Sequence, residues 1–248
     1  MTIEKYIEEF TIHSYQTNEN GEAKVSALYN IMLEAAWAHA SKLDWGYDSL
    51  QTRQLFWALS RIRFEIASLP KWRDKITLET WPSGNDRMFA FREFRLKDES
   101  GKEFLRANSA WLVLDLASHK IVSFSDQGDL PHRIDADPCT QPKRLRHRTT
   151  DAELNYQTIL YSDIDVNRHF NSVRAFERII DAHETEFLQQ HQIQLIEINY
   201  AKEGFVGDEI AVVMQDKGDA LFQSALIRKE DGEALSVYEM KWKKILNF

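Results

Sequence analysis

The 248-residue sequence contains few of the residues that mark disulfide-rich, metal-binding or disordered proteins. Its one cysteine, Cys139, has no partner for an internal disulfide, and the CxxC spacing typical of zinc sites is absent. Glycine and proline are sparse, with 9 and 5 residues, which argues against long disordered segments. The composition therefore favours a globular protein, and we expect neither a metal ion nor an organic cofactor.

Excess positive charge and long apolar runs are also missing. A net charge of −8 argues against non-specific nucleic-acid binding. No stretch approaches the ~20 apolar residues of a membrane-spanning helix. The first residues, MTIEKYIEEFTIHSYQ, lack the apolar core and cleavage site of a signal peptide. We therefore expect a cytoplasmic protein, and its 43% of apolar residues can build one large domain or two small ones.

Residues 126–151 differ from the rest of the chain. They contain three of the five prolines, show no periodicity and are strongly charged, which is typical of an interdomain linker. We predict an N-terminal domain at 1–130, a linker at 131–149 and a C-terminal domain at 150–248. The densest basic run, PKRLRHR, lies in this linker and is either a solvated surface or a docking strip for an acidic partner. Its basic residues are Lys143, Arg144, Arg146 and Arg148.

The two flanks of the linker have the same order of predicted elements. The segments VSALYNIMLEAAWAHASKL and VRAFERIIDAHETEFL each place apolar residues at helical spacing. Each is followed by four segments rich in β-branched and aromatic residues, which we predict to be antiparallel strands. A long helix followed by an antiparallel sheet is an α+β unit, in which the sheet wraps the helix and leaves room for an apolar slot.

Three sequence matches indicate that the second flank duplicates the first. Two predicted hairpins run from a turn glycine to a tryptophan ten residues later, and one aspartate in each flank comes just before an apolar strand. The matched pairs are Gly101 and Gly232, Trp111 and Trp242, and Asp74 and Asp208.

The stretch YSDIDVNRHFNS, residues 161–172, is the densest group of chemically active side chains. Its opening resembles a calcium loop of the EF-hand type. That loop requires glycine at its sixth position and a bidentate glutamate at its twelfth. Here these positions are Arg168 and Arg174, which repel a cation. We therefore reject a calcium site, and one histidine is too few for a zinc site.

Two interpretations of this stretch remain open from spacing alone. In the first, Asn167 or Asn171 simply caps the following helix. In the second, Asp165, Asn167 and His169 form a hydrolytic site, because alternate residues of an extended chain project together. A carboxylate and an imidazole can activate water, an amide can hold a carbonyl, and the N–H groups of a helix start can stabilise an oxyanion.

A family resemblance covers nearly the whole chain. SDIDVNRHFNSVRAFERIID resembles the signature D-x-D-V-N-x-H-x-N-N-x-x-Y of acyl-acyl-carrier-protein (acyl-ACP) thioesterases. LFWALSRIRFEIASLPKWRDKITLETWPSG resembles a first-domain segment of that family, with its P-x-W-x-D turn and TW strand. ANSAWLVLDL and INYAKEG resemble two further segments in the same order, A-S-S-x-W and L-E-Y-R-R-E-C.

The resemblance implies a tandem hotdog fold and hydrolysis of the thioester between a fatty acyl chain and the phosphopantetheine arm of acyl carrier protein. The catalytic aspartate, asparagine, histidine and glutamate of the family fall on Asp165, Asn167, His169 and Glu203. The family's cysteine after that glutamate is Gly204 here, so we expect direct attack by water and no acyl-enzyme.

We expect Asn167 and helix-start N–H groups to position the carbonyl, while Glu203 and Asp165 hold and deprotonate the water with help from His169. Asp163 lies outside the matched set, and we expect it to have a turn or cap role. The first half lacks the D-x-N-x-H set and is therefore expected to provide the acyl pocket. Its candidate lining residues are Leu28, Met32, Ala36 and Trp57.

Three other functions stay open from the sequence. The motif does not separate acyl-ACP from acyl-coenzyme A as the substrate. A hotdog dehydratase or isomerase fits the four polar residues less well. A non-enzymatic acyl-binding module has no need of a base beside a carbonyl-orienting amide. The tandem repeat is compatible with both a monomer and a homodimer, and the sequence does not reveal the preferred acyl chain.

Overall fold

The computed structural model describes residues 3–124, 130–147 and 154–245. The chain divides into two compact units, Met1–Pro142 and Lys143–Phe248. The described residues of the predicted linker pack against these units. Leu130 belongs to an apolar cluster of the first unit, and the Leu145 N–H donates to Asn199 Oδ1 in the second at 2.8 Å.

The described residues of the first unit form two α-helices and a five-stranded antiparallel sheet. The sheet order is β1-β3-β4-β5-β2. In chain order its elements are β1 Tyr6–Thr11, α1 Val25–Lys42, α2 Tyr47–Thr52, β2 Leu55–Ile66, β3 Lys75–Asn85, β4 Ala90–Asp98 and β5 Glu103–Asp115.

The second unit repeats this plan with a shorter first helix. Its sheet is also antiparallel, in the order β7-β10-β9-β8-β6. In chain order its elements are β6 Gln157–Thr158, α3 Ser172–Ile180, α4 Thr185–Gln190, β7 His191–Tyr200, β8 Glu209–Asp216, β9 Leu221–Arg228 and β10 Ala234–Lys244. The eight strands predicted after the two helices are thus confirmed as β2–β5 and β7–β10.

Helix α1 forms the core of the first unit. Its 18 residues are rich in alanine and contain neither glycine nor proline, so nothing interrupts the helix. Leu28, Tyr29 and Met32 are fully buried, and the Tyr29 ring meets Phe64 of β2 edge-on at 5.1 Å. Burial of each such side chain stabilises the unit by about 1.5–3 kcal/mol. The sheet therefore wraps α1, as the pattern predicts.

The second predicted helix is interrupted. The sequence pattern predicts one helix through Phe187, but α3 ends at Ile180 and α4 begins at Thr185. The buried ring of His183 lies between them, 4.9 Å from Phe222 and 5.0 Å from Trp242. These contacts with β9 and β10 lie at the interruption between the two helices. Helical periodicity could not show them, because the partners are distant in sequence.

Hydrogen bonds reproduce the duplication found in the sequence. The Lys71 N–H donates to Asp74 Oδ2 at 2.7 Å, and the Phe205 N–H donates to Asp208 Oδ2 at 3.0 Å. The glycines of the two matched hairpins both have positive φ, 81° and 68°, a conformation that side chains disfavour. The two units therefore share turn chemistry as well as strand order.

The buried His183 predicts a loss of stability in acid. Burial lowers the pKa of His183 from 6.5 to about 4. Across that window the unfolded chain binds a proton that the folded chain excludes, so the free energy of unfolding falls as pH drops, by at most ~3 kcal/mol. We expect His183→Phe to reduce this fall, measured by thermal unfolding at about pH 7 and about pH 4.5.

The matched control is His13→Phe, since His13 is exposed. It should lose stability in acid as the unchanged protein does. An equally steep fall in His183→Phe would show that His183 is not the group that titrates. His39, whose pKa burial also lowers to about 4, stays in both variants and leaves a residual slope.

Candidate active site

The predicted catalytic loop is a tight turn. Ile164 and Phe170 pair as an isolated antiparallel bridge, and Arg168 between them has a left-handed φ of 65°. Asp165 Oδ1 accepts hydrogen bonds from the Asn167 N–H at 2.9 Å and the His169 N–H at 3.1 Å. The expectation of an extended chain was therefore wrong. The short Asp165 side chain bonds to the backbone two and four residues on and bends it.

The first unit contains the same turn without the histidine. Asn18 Oδ1 accepts from the N–H groups of Asn20 and Glu22, both at 3.0 Å. The left-handed position is Gly21, with a φ of 73°. Asp165 thus corresponds to Asn18 of the first unit, and both side chains close their turn through the same two backbone hydrogen bonds. The second unit places an arginine where the first uses glycine, at a cost on the order of 1 kcal/mol.

The start of α3 is capped by Asn171. Its side chain accepts from the N–H groups of Val173 at 2.8 Å and Arg174 at 3.2 Å. Of the two asparagines considered as caps, the structure selects Asn171. The cap also occupies two of the N–H groups expected to stabilise an oxyanion. Asn167 lies in the turn instead, partly exposed between Asp165 and His169.

The role expected for Asp163 is confirmed. The Leu160 N–H donates to its Oδ2 at 3.0 Å, and the guanidinium of Arg178 on α3 pairs with the same oxygen at 2.9 Å. The Asp163 carboxylate therefore links the turn at Leu160, which precedes the catalytic loop, to helix α3, which follows it.

His169 and Glu203 meet although they are far apart in sequence. Glu203 lies in the connection that follows β7, and its Oε1 is 3.6 Å from His169 Nε2. A backbone hydrogen bond from the Phe170 N–H to the Gly204 carbonyl, 2.7 Å long, joins the two segments. The His169 ring also packs edge-on against Phe205 at 5.5 Å. An imidazole and a carboxylate held together in this way can accept a proton from water.

The pair is open to solvent and has apolar neighbours in sequence. The His169 and Glu203 side chains are 21% and 33% exposed. Val166, in the same turn as His169, and Val206, in the same connection as Glu203, are exposed as well.

No thiol belongs to this site among the described residues. A Cβ added at Gly204 would lie 3.0 Å from Leu235 and 3.1 Å from both Ile159 and Phe170, so a cysteine there requires its neighbours to shift. Cys139 is buried in the first unit. Burial, reinforced by the nearby Glu93 carboxylate, raises the pKa of the Cys139 thiol to about 12. The thiol stays protonated at neutral pH, and only the thiolate is nucleophilic.

The first unit contains a narrow cavity beside α1. The space open to the centre of a water-sized sphere is about 60 Å³. Two of the predicted lining residues, Ala36 and Trp57, form part of its wall, whereas Leu28 and Met32 lie in the fully buried core. Residues that the sequence did not single out complete much of the wall, among them Trp37, Trp45, Phe91, Arg92 and Trp111.

The basic run is only partly available for docking. Lys143 forms an ion pair with Glu239, while Arg144 and Arg146 are exposed. Arg148 lies outside the described residues. Within the part of the chain that the structure describes, no helix is long and apolar enough to cross a membrane.

A helix wrapped by an antiparallel sheet, present twice, defines a tandem hotdog protein, and solved structures share this fold. An acyl-ACP thioesterase from Bacteroides thetaiotaomicron is 28% identical, with a TM-score of 0.85 over 96% of this chain and 97% of that chain. The 12:0-ACP thioesterase from Umbellularia californica, 19% identical, has a TM-score of 0.86 over 97% and 98%. The predicted tandem hotdog fold is confirmed.

Family models extend the match to sequence. Residues 3–128 match the acyl-ACP thioesterase N-terminal domain, and residues 146–244 match the C-terminal domain. The chain therefore belongs to the acyl-ACP thioesterase family, as the resemblance indicates.

Curated plant relatives include the chloroplastic acyl-[acyl-carrier-protein] hydrolase FATB3 of Cuphea viscosissima, 24% identical over 94% of this chain and 61% of that protein. The chloroplastic oleoyl-acyl carrier protein thioesterase 1 of Arabidopsis thaliana is 26% identical over 80% and 60%. The matched part of this chain thus spans about three-fifths of the length of these relatives.

The matched turns predict matched effects of substitution. Asp165→Ala and Asn18→Ala each remove an oxygen that accepts two backbone N–H groups, so each should lower the free energy of unfolding by about 1–2 kcal/mol. Asp165→Asn and Asn18→Asp keep an acceptor oxygen and should lower it much less. Thermal unfolding of the four variants tests this. If Asp165→Asn destabilised as much as Asp165→Ala, the turn-shaping role of the side chain would be refuted.

Proposed function

We propose that the protein hydrolyses fatty acyl-ACP thioesters to free fatty acid and holo-carrier protein, with water as the nucleophile. The observation that carries this proposal is the His169–Glu203 pair, 3.6 Å apart in a site without a thiol. Family membership supports the substrate class, and the absence of an available thiolate among the described residues supports attack by water.

The base is the His169–Glu203 pair. Glu203, assisted by His169, takes a proton from water as the water oxygen attacks the thioester carbonyl carbon. The tetrahedral intermediate then collapses, the carbon–sulfur bond breaks, and the departing thiolate recovers the proton. Because a thiolate is a good leaving group, the step needs little further acid assistance. The products are a carboxylic acid and the thiol of the carrier arm.

The carbonyl is held by the turn. The cap formed by Asn171 occupies the N–H groups of Val173 and Arg174, which leaves the Asn167 side-chain amide as the donor for the carbonyl oxygen. Asp165 positions Asn167 and His169 through its two backbone hydrogen bonds. Its direct share in deprotonating the water, expected from the sequence, stays a prediction.

The carrier interaction rests on weaker support. Exposed Arg144 and Arg146 provide positive charge on a chain with a net charge of −8, and an acidic partner requires such a patch. Docking at the strip formed by Lys143, Arg144, Arg146 and Arg148 stays a prediction.

Removal of the base should abolish most turnover. We expect Glu203→Gln and His169→Gln each to lower kcat by about 100- to 10,000-fold, because neither amide accepts the proton. Release of free thiol from acyl-ACP measures the rate. Cys139→Ser is the control and should hydrolyse the substrate normally. Near-full activity of Glu203→Gln would remove this residue from the mechanism, and a large loss in Cys139→Ser would revive a thiol nucleophile.

The same assay separates the two carriers. Acyl-ACP and acyl-coenzyme A of equal chain length share the phosphopantetheine arm, so a preference between them reports contacts with the carrier protein. We expect a kcat/KM at least about tenfold higher for acyl-ACP, equivalent to about 1.4 kcal/mol. Equal values would favour a general acyl-thioester hydrolase.

The cavity of the first unit is proposed to receive the acyl chain. Ala36→Phe places a ring in its wall, so activity on the longest accepted chains should fall while activity on short chains changes little. A panel of acyl-ACP substrates of increasing length measures this shift. Ala38→Phe, on the same helix at a position outside the cavity wall, is the matched control. An unchanged chain-length profile in Ala36→Phe would place the acyl chain elsewhere.

A further inference from the structure

A buried arginine lies in the wall of the cavity. Arg92 on β4 is only 8% exposed, and the rest of the wall is mostly apolar or aromatic. Its Nη1 is 3.2 Å from His39 Nδ1 and 3.2 Å from Thr80 Oγ1. In the described part of the chain, no carboxylate forms an ion pair with it. Among the described residues, Arg92 is therefore held in place without an ion-pair partner.

Both of its partners are neutral acceptors. The Thr80 hydroxyl donates its proton to the Glu93 carbonyl at 2.8 Å, so toward Arg92 it can only accept. Burial, reinforced by the charges of Arg92 and Lys42, lowers the pKa of His39 to about 4. His39 is thus uncharged at neutral pH, and its Nδ1 accepts from the guanidinium. Burial lowers the pKa of Arg92 to about 9, which still leaves it charged.

Arg95, a second buried arginine on β4, has ion-pair partners that Arg92 lacks among the described residues. It is 7% exposed and lies three residues beyond Arg92. Its guanidinium pairs with Glu103 at 2.8 Å and approaches Glu93 at 3.8 Å. A buried charge without such partners is costly, because desolvation is not offset by an ion pair. The contrast indicates that the counter-charge of Arg92 comes from a ligand in the cavity.

The cavity wall defines the rest of that ligand. Trp37, Trp45, Trp57 and Trp111 provide aromatic surface that suits an apolar body, and Arg92 is the charged residue among the described residues of this wall. We propose that the cavity binds an alkyl carboxylate, with the carboxylate on Arg92 and the alkyl chain against the tryptophans. Guanidinium and carboxylate form the strongest class of protein hydrogen bonds.

Binding of this kind has a regulatory consequence that rests on the proposed function. A free fatty acid, the product of the proposed hydrolysis, is an alkyl carboxylate. If it occupies the cavity, it competes with the acyl chain of the substrate and inhibits turnover. Binding itself does not depend on hydrolysis, so it can be tested separately.

The test uses tryptophan fluorescence of the full chain titrated with sodium decanoate or 1-decanol, which differ in the carboxylate. We expect decanoate to bind at least about tenfold more tightly than decanol. R92M should abolish this preference, and R92K, which keeps the charge, should retain part of it. R87M removes an exposed arginine of the same unit and should behave as the unchanged protein. Equal binding of the two ligands, or a preference that persists in R92M, would overturn the proposal.

Folding and activity controls keep the outcome unambiguous. Since R92M removes an uncompensated buried charge, its melting temperature should not fall, and circular dichroism checks this. If R92M does not fold, R92Q replaces it, and the preference for decanoate over decanol is compared between R92Q and the unchanged protein. Inhibition of acyl-ACP hydrolysis by decanoate is measured separately. A protein that binds decanoate through Arg92 but hydrolyses no acyl-ACP would refute the proposed function and leave this inference standing.

Discussion

One backbone hydrogen bond in each unit holds the turn before the first helix in place. In the second unit it runs from the Phe170 N–H to the Gly204 carbonyl, and in the first from the Ala23 N–H to the Pro70 carbonyl, both at 2.7 Å. Each bond ties the turn before a helix to the connection that leads into a strand. Because the turn itself is closed by a side-chain oxygen, its geometry is fixed before any ligand arrives.

On this shared frame the two units carry different chemistry. The residue before the accepting carbonyl is Glu203 in the second unit and Leu69 in the first. The second backbone N–H that donates to the turn side chain belongs to His169 in the second unit and to Glu22 in the first. On the same local backbone, these two residue differences thus give the second unit an imidazole and a carboxylate. The first unit instead contains a cavity lined by aromatic side chains, with the charged Arg92 in its wall.

Local patterns predicted most of the regular structure. The α1 helix and β2–β5 and β7–β10 follow from helical spacing, from β-branched and aromatic runs and from turn residues, because each signal acts within a few residues. Strand β1 was not foreseen, because it is stabilised by pairing with β3, far along the chain. The break between α3 and α4 was missed for the same kind of reason, since His183 packs against β9 and β10.

The amino-acid sequence was enough to identify the family, the duplication and the four candidate catalytic residues. Its Arg168 argues against a calcium site, and its Gly204 argues against a thiol nucleophile at that position. The folded structure was needed to show that Asp165 closes a turn, that Asn171 is the helix cap and that His169 meets Glu203. It also showed that Arg92 is buried with no ion-pair partner among the described residues. These facts depend on distances between segments remote in sequence and on the desolvation of charge, and periodicity and spacing carry no information about either.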